Sequence, residues 1–478
     1  MSHTSARIDF RANTQRVPPQ MPAAVQKATS RFLAGRAALV EALGAEAWEQ
    51  LRQAGHDLRL HSITHLDHYL QQAERQVIEA GGHVHWALDA EEACRIVIEI
   101  AGQHGVKRAV KAKSMATEEI GLNHAMQAAG MQVLETDLGE YIVQLAGVGP
   151  AHIVVPAFYL SKEEIAELFR EKLGVEAPAD AQALTAIARA KLREEFLAAG
   201  MGITGGNFLV AETGTIVTVT NEGNGRMCAT VPPVHVAVVG IDKIVPDWES
   251  LAVLLKLLAR SATGQKLSCY TSFITGPPRT KNETGPREFH LVLLDNGRSR
   301  MLKTTEGRET LLCIRCGACL NICPVFNTVG GHAYGWPISG PTGSILAPQI
   351  LGTRTAGGLP FASTLCGACV EICPVKIPIT EILLHLRHRV MEGDVQEPPV
   401  ASAMVRFAAK AGALALGTPW VYRLGSRIIK VFQAPFRRNG WLPKLPPPLH
   451  RWTMARPFPA FASDFRQWWR TRTHDGQR

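Results

Sequence analysis

The sequence lacks any uninterrupted run of about 20 apolar residues, the length that a helix needs to cross a bilayer. The most apolar stretch, AGALALGTPWVYRL from residue 411, is interrupted by Gly417 and Pro419 and flanked by Lys410 and Arg423. It can lie on a membrane surface but cannot span one, so we expect membrane contact to be peripheral at most. The first 20 residues also lack an apolar core, which predicts no secretory leader and a cytoplasmic location.

Most of the chain also lacks an excess of positive or negative charge. The formal charge is +9, but residues 391–478 alone hold 14 Lys and Arg against 5 Asp and Glu, and the other residues are balanced. A basic tail without a recognised nucleic-acid-binding motif favours docking to an acidic partner over nucleic acid binding. We expect the aromatic and basic cluster near its end to pack through its tryptophans and to dock through its charges (Arg466, Trp468, Trp469, Arg470 and Arg472).

Cysteine is scarce, with ten residues in the chain, but seven of them lie between 313 and 373. Such clustering indicates metal ligation rather than disulfides. The segment CIRCGACLNICP at 313–324 has the C-x2-C-x2-C-x3-C-P spacing of a ferredoxin-type [4Fe-4S] cluster. A zinc ribbon is the alternative, but zinc sites usually use two separated C-x2-C pairs.

The second cysteine segment, STLCGACVEICP at 363–374, repeats the first but has Ser363 where the first has Cys313. In two-cluster ferredoxins the fourth cysteine of each motif binds the other cluster. We therefore predict two [4Fe-4S] clusters, the first held by one set of four cysteines and the second by three others (Cys313, Cys316, Cys319 and Cys373; Cys323, Cys366 and Cys369).

The sequence does not identify the fourth ligand of the second cluster. A serine hydroxyl is a poor ligand for iron at neutral pH. Ser363, water or a partner group could complete a [4Fe-4S] cluster, the cluster could be [3Fe-4S], or one iron could stay open for substrate. Ser363 could also simply pack against its neighbours.

Hydrophobic patterning divides the chain into four predicted domains. Residues 1–75 have helical spacing, and residues 76–300 alternate short apolar runs with helical segments, which is typical of a layered α/β domain. The runs at 109–114, 132–137, 152–158, 214–220 and 234–240 are predicted strands, and Ser161 with Glu164 predicts a capping box. Residues 301–392 form the cysteine domain, and residues 393–478 form a basic extension with a helical hairpin and a Pro-rich strap.

Two polar stretches of the α/β region have two interpretations each. The strand-to-helix junction around 111–117 could bind an anion or simply cap a helix (Lys111, Lys113, Ser114 and Thr117). The polar residues around the run at 214–220 could line a cleft or form a turn (Asn207, Glu212, Asn221, Glu222 and Asn224). The G-x-G-x-x-G pattern starting at Gly200 follows a helix and precedes a strand, so it does not predict a dinucleotide site.

The order of several motifs resembles that of the lactate utilisation protein B family of bacterial iron-sulfur proteins. The resemblance is carried by KAKSMATEEI, ETDLGEYIVQL, GITGGNF, NEGN, LLDNGRS, CIRCGACLNICPVFNTVGGHAYG and LCGACVEICPVKI. It implies N-terminal helices and an α/β lactate-utilisation domain similar to ribose-5-phosphate isomerase and CoA-transferase-like proteins. A small helical two-cluster ferredoxin-type domain and the basic tail would follow.

The same resemblance implies electron transfer in a three-protein system that oxidises L-lactate to pyruvate. It implies the ligand sets given above, and the second motif of the family also has three cysteines. The electron acceptor and any catalytic residues remain unknown. Two alternatives remain: the catalytic subunit of the lactate-oxidising complex with its substrate site in the α/β domain, and a non-redox module with structural clusters.

Overall fold

The computed structural model describes residues 7–280, 282–395, 397–447, 449–453, 456–461 and 469. The chain divides into two units, Met1–Val400 and Ala401–Arg478. The domain boundaries near residues 75, 300 and 392 stay predictions. Of the aromatic and basic cluster near the C-terminus, Arg466, Trp468, Arg470 and Arg472 lie outside the described residues.

The N-terminal region is helical, as its apolar spacing predicts. Gly44 has a φ of +91° and ends the second helix directly before the third begins, because glycine adopts this conformation without a side-chain clash. The chain then turns through a glycine pair into the first strand. The four helices are α1 Phe10–Thr14, α2 Met21–Leu43, α3 Ala45–Thr64 and α4 Leu66–Glu79.

The central layer of the α/β region is a six-stranded parallel sheet in the order β1-β10-β7-β4-β2-β3. Strand β7 is buried along its whole length, and its side chains alternate between two apolar cores, with Val236 and Val238 on one face and Ala237 and Val239 on the other. The strands are β1 His83–Ala87, β2 Arg108–Lys111, β3 Gln132–Glu135, β4 Met201–Thr204, β7 Val234–Gly240 and β10 Glu288–Leu294.

Helices connect these strands, and a smaller mixed sheet in the order β8-β5-β6-β9 packs beside them. The predicted capping box at Ser161 and Glu164 is confirmed at the start of α9. The helices are α5 Ala90–Gln103, α6 Met115–Glu119, α7 Leu122–Ala128, α8 Leu138–Leu145, α9 Lys162–Leu173, α10 Ala181–Ala198, α11 Asn224–Thr230 and α12 Trp248–Thr263. The strands are β5 Phe208–Val210, β6 Thr215–Thr220, β8 Ile244–Val245 and β9 Tyr270–Ile274.

The prediction of a strand at 152–158 is wrong, because this apolar segment forms bends and turns. His152 Nδ1 accepts hydrogen bonds from the backbone N–H groups of Val154 and Val155, and Lys113 Nζ donates to the carbonyl of Val154 at 2.7 Å. These bonds satisfy the backbone without a sheet partner. The segment is apolar because it is buried, not because it is extended in a sheet.

The cysteine region is helical and contains no strand among its described residues. It shares one continuous apolar core with the N-terminal helices and α12, including Val25, Trp48, Leu254, Phe326 and Leu346. Its helices are α13 Arg298–Met301, α14 Thr305–Leu311, α15 Ala318–Ile322, α16 Pro324–Val329, α17 Gly340–Leu351, α18 Thr353–Ala356, α19 Ala368–Ile372 and α20 Ile379–Glu392.

The second unit contains the helical hairpin predicted from its sequence, α21 Ala403–Gly417 and α22 Pro419–Phe432. Two short strands also pair antiparallel, β11 Trp441–Leu442 with β12 Phe458–Pro459. The Pro-rich strap stays a prediction. Among the described residues, no helix is both long and apolar enough to span a membrane.

Candidate metal centres and the adjoining cavity

The two cysteine segments fold into loops with the same backbone conformation. Arg315 and Gly317 have φ angles of +60° and +79° in the first loop, and Leu365 and Gly367 have +55° and +84° in the second. A short helix follows each glycine, α15 in the first loop and α19 in the second. Left-handed arginine and leucine are uncommon and cost free energy, so both loops are held by the structure around them.

The first group of cysteines consists of Cys313, Cys316, Cys319 and Cys373, which line one small cavity. Backbone N–H groups donate to two of the sulfurs: Arg315 N lies 3.4 Å from Cys313 Sγ and Ile377 N lies 3.4 Å from Cys373 Sγ. Hydrogen bonds of this kind favour the thiolate over the thiol. The loop 313–319 therefore lies next to Cys373, the last cysteine of the second segment.

The surroundings of the first group favour the thiolate at Cys313 and oppose it at the other three cysteines. Burial alone would raise the pKa of Cys313, but the positive charges of Arg315 and Lys243, together with hydrogen bonds from Thr342 and the N–H of Arg315, outweigh burial, and its pKa lies below the ordinary value. Burial raises the pKa of Cys373 to about 11, and it raises that of Cys316 further. Four thiolates in this space require cations between them, and an iron-sulfur cluster supplies these. The donor set therefore fits such a cluster.

The second group of cysteines consists of Cys323, Cys366 and Cys369. Cys366 is exposed, whereas Cys323 and Cys369 are each 7% exposed. Burial, followed by the neighbouring Cys323 and Cys366, raises the pKa of Cys369 to about 12. A hydrogen bond from the N–H of Ala368 lowers the pKa of Cys366. These three thiols again form a set that suits iron, but one side of the set faces solvent.

Ser363 has the same place in the second loop that Cys313 has in the first. Leu365 N donates to Ser363 Oγ at 3.1 Å, just as Arg315 N donates to Cys313 Sγ. From α20, Arg387 Nη2 donates to the carbonyl of Ser363 at 3.0 Å and fixes the start of the loop. The repeat therefore preserves the geometry of the position, and the side chain is what differs.

Helix α3 holds both ends of the cysteine region by hydrogen bonds that its sequence does not reveal. Arg52 donates from Nε and Nη2 to the carbonyl of Cys373, at 3.0 and 2.8 Å. Arg59, 1% exposed, donates to the carbonyls of Leu311 and Leu312, directly before the first cysteine, and to that of Asp242 in the α/β region. The sequence of this helix contains no pattern that indicates a metal site. The two arginines hold the cysteine region only because the folded chain brings its carbonyls to them.

A cavity of about 840 Å³ lies between the α/β region and the first cysteine loop. Ile314, Arg315 and Cys316 line it from the cysteine loop. From the α/β region it is lined by residues of the two polar stretches, around 111–117 and around 214–220, that the sequence left open between a binding and a structural role. Lys113 and Ser114 belong to the first stretch, and four polar residues to the second (Asn207, Asn221, Glu222 and Asn224).

Lys111, Thr117 and Glu212 are not among the residues lining this cavity. The ammonium of Lys111 is buried and bound to Glu118 and Glu135, at 3.0 and 2.7 Å, so it is committed to a structural ion pair. Ser114 caps α6 by accepting from Thr117 N at 3.4 Å. The junction at 111–117 is therefore a helix cap that also contributes Lys113 to the cavity.

Comparison with known proteins matches a LUD domain to residues 70–294 and a 4Fe-4S dicluster domain to residues 309–377. Lactate utilization protein B of Shouchella clausii is 43% identical over 458 residues, which is 95% of each chain, and that of Geobacillus sp. is 44% identical over 96% of this chain and 95% of its own. The chain belongs to the lactate utilization protein B family.

The family relatives extend to a protein described as the uncharacterized electron transport protein YkgF of Escherichia coli, 41% identical over 98% of both chains. A crystal structure of a DUF162 family protein from Deinococcus radiodurans has 16% identity and a TM-score of 0.28, and it covers 48% of this chain and 98% of its own. The α/β fold followed by a helical ferredoxin-type region agrees with the architecture implied by the sequence motifs.

Proposed function

We propose that this protein is an electron-transfer iron-sulfur protein in the oxidation of L-lactate to pyruvate, acting in the cytoplasm in a complex with companion lactate-utilisation proteins. The single observation that carries the proposal is the arrangement of two cysteine groups in series. The first group adjoins an internal cavity through Cys316, and the second reaches the surface at Cys366. The names of the family relatives, which refer to lactate utilization and to electron transport, support this choice of reaction.

In this proposal the first group (Cys313, Cys316, Cys319 and Cys373) holds one [4Fe-4S] cluster. Cys323, Cys366 and Cys369 hold the second, with Ser363 at the position of a fourth ligand. Bound in this way, the clusters would supply carriers of single electrons. A [3Fe-4S] cluster in the second group is the alternative that the missing cysteine leaves.

The residues around the two groups have different tasks in this function. Arg315 and Lys243 place positive charge beside Cys313, and α3 holds the carbonyl of Cys373 through Arg52. Cys316 and Cys373 of this group are buried, and Cys313 and Cys319 are half-buried, so the group has little contact with bulk water. The exposure of Cys366 brings the second group within reach of a protein partner, and the basic tail is a candidate for docking an acidic one.

The test uses the full chain, purified without oxygen, together with its companion proteins and L-lactate. We expect the electron paramagnetic resonance (EPR) signals of reduced clusters to appear on addition of lactate, and pyruvate formation to stop when this chain is left out. The control is Cys269→Ala, which removes an exposed cysteine outside both groups. Pyruvate formation at an undiminished rate without the chain would contradict the proposal.

The cavity favours a second candidate, in which this chain is the catalytic subunit with the substrate site in the α/β region. The cavity brings polar residues of that region to the first cysteine loop. Lactate gives up two electrons and a proton, whereas an iron-sulfur cluster passes single electrons, and the sequence contains no flavin or nicotinamide motif. Pyruvate formation by this chain alone with an artificial acceptor would favour the second candidate over the first.

A further inference from the structure

The cavity beside the first cysteine group lies where parallel α/β sheets bind ligands. Ala112, Lys113 and Ser114 follow the carboxyl end of β2, and Thr204, Gly205 and Gly206 end or follow the neighbouring β4. Ligands of open α/β sheets bind in the crevice outside the carboxyl ends of the strands. Here the cysteine loop, with Arg315 and Cys316, closes the opposite wall.

The polar wall of this cavity has more positive than negative groups. Among the described residues that line it, five are cationic and three are carboxylates (Arg31, Lys113, Lys243, Arg298 and Arg315; Glu119, Asp137 and Glu222). Arg298 binds both oxygens of Glu119, at 2.9 and 3.0 Å, so this pair is satisfied within itself. Lys243 Nζ lies 3.2 Å from Asp242 Oδ2, so it is paired as well. Three cations and two carboxylates remain, and this balance favours an anion (Arg31, Lys113 and Arg315; Asp137 and Glu222).

Two of the cations are close to the first cysteine loop and have spare hydrogen-bonding capacity. Lys113 Nζ donates to the carbonyl of Val154, and Val154 packs against Gly317, where an added Cβ would meet it at 3.3 Å. Nη1 of Arg315 is buried and has no hydrogen-bond partner among the described residues. An ammonium has three donors and a guanidinium five, so each can bind a carboxylate as well.

Two buried oxygens of the cavity wall lack partners among the described residues. Thr218 is 8% exposed and its Oγ1 makes no hydrogen bond, and Asn224 is 5% exposed and its Oδ1 accepts none. The amide nitrogen of Asn224 is already used, since Nδ2 lies 3.2 Å from Thr136 Oγ1. Leaving buried polar atoms unsatisfied costs free energy, and a ligand hydroxyl would remove that cost.

We infer that this cavity binds a small 2-hydroxycarboxylate, with its carboxylate on Lys113 and Arg315 and its hydroxyl on Asn224 and Thr218. The inference rests on the proposed function, which it deepens by naming the class of ligand that this chain itself holds beside its first cysteine group. It concerns binding and assigns no chemical step to the chain.

The experiment is anaerobic calorimetry on the full chain with its clusters, using L-lactate and propionate as probes. The two probes share a three-carbon carboxylate and differ in the hydroxyl. We expect L-lactate to bind about tenfold more tightly than propionate, because only lactate satisfies the buried oxygens. Equal affinity for the two, or no heat from lactate, would overturn the inference.

Three substitutions separate the two halves of the site. Lys113→Gln should weaken both probes by about tenfold or more, since a charge-assisted bond is lost. Thr218→Val, which is nearly isosteric, and Asn224→Ala should weaken lactate alone and bring the two affinities together. Lys107→Gln, at an exposed lysine just before β2, is the matched control and should change neither affinity.

Iron content and thermal unfolding of each variant show whether the fold is intact, and Thr218→Val covers the case in which Asn224→Ala does not fold. Unchanged lactate affinity in Lys113→Gln and in Thr218→Val would overturn the inference. If lactate fails to bind while the clusters still pass electrons, the inference alone fails. If lactate binds while pyruvate forms without this chain, the proposed function fails and the binding site stands.

Discussion

The two cysteine loops share a backbone and differ in their surroundings. The first has four cysteines, a wall of buried apolar residues, and the charges of Arg315 and Lys243 close to Cys313. The second has three cysteines and a serine, and its Cys366 is exposed. Since φ angles at matching positions differ by only a few degrees, the local repeat does not distinguish them. The rest of the chain does, by enclosing one loop and leaving the other at the surface.

This difference suggests a direction for electron transfer. A buried centre beside a cavity suits an electron donor that is held out of water, whereas an exposed centre suits a protein acceptor. The missing cysteine then belongs to the exposed side, where the fourth iron of a cluster would be held most weakly.

The largest expected effect comes from removing one cysteine of each group. In the proposed assignment each group holds one cube of four irons, so Cys316→Ala and Cys366→Ala should each lower the iron content from about eight to about four per chain. Only Cys316→Ala should also lower the melting temperature markedly, by roughly 5–10 °C, because Cys316 lies in the core shared with α2 and α3, whereas Cys366 is exposed.

Iron analysis and circular dichroism measure these two effects, and Cys269→Ala serves as the control because this exposed cysteine belongs to neither group. If Cys366→Ala destabilised the chain as much as Cys316→Ala does, the contrast between an enclosed and a peripheral group would be wrong.

The second-largest effect is expected from Ser363→Cys, a substitution that would make the two cysteine groups more alike. Ser363→Cys should give the second group four thiolates, shift its potential in an EPR redox titration, and slow its loss of iron in air, because thiolate is a softer and stronger donor than a hydroxyl. The wild-type second cluster should be the more oxygen-sensitive of the two.

Ser363→Ala is the matched control, since it removes the hydroxyl that accepts from Leu365 N without adding a thiol. An iron content that stays near about eight per chain after brief exposure of the wild-type protein to air would contradict the weak fourth iron. A strong three-iron signal before any exposure would contradict it too.

A smaller effect is expected from removing the hydrogen bonds by which α3 holds the first group. Arg52→Gln removes the paired hydrogen bonds to the carbonyl of Cys373 and should cost about 1–3 kcal/mol. It should speed the release of iron from the first cluster to a chelator and leave the second unchanged. Arg75→Gln, at an exposed position on α4, is the control. Faster release from the second cluster alone would show that Arg52 does not act on the first group.

Local patterns in the sequence predict the cysteine motifs, the helix cap at Ser161 and three of the six strands of the parallel sheet (β2, β3 and β7), because spacing and periodicity encode them directly. The strand predicted at 152–158 fails because burial, not extension, explains its apolar residues. Likewise Arg52 and Arg59 gain their roles from carbonyls far along the chain, and no local pattern reveals such partners.

The cavity was only partly visible in the sequence. The polar stretches around Lys113 and Asn224 had two interpretations each, and the structure shows that both stretches contribute to one wall. The contribution of Arg315 could not be predicted, because the position of its side chain in the cavity wall depends on how the cysteine loop packs against the α/β region.

The central claim, that the enclosed first group receives electrons and the exposed second group passes them on, is tested most directly in Cys366→Ala with the companion proteins. After addition of L-lactate, EPR should show the first cluster reduced as in the wild type, while reduction of the acceptor falls to background. A first cluster that stays oxidised, or an acceptor that is reduced at the wild-type rate, would contradict the claim.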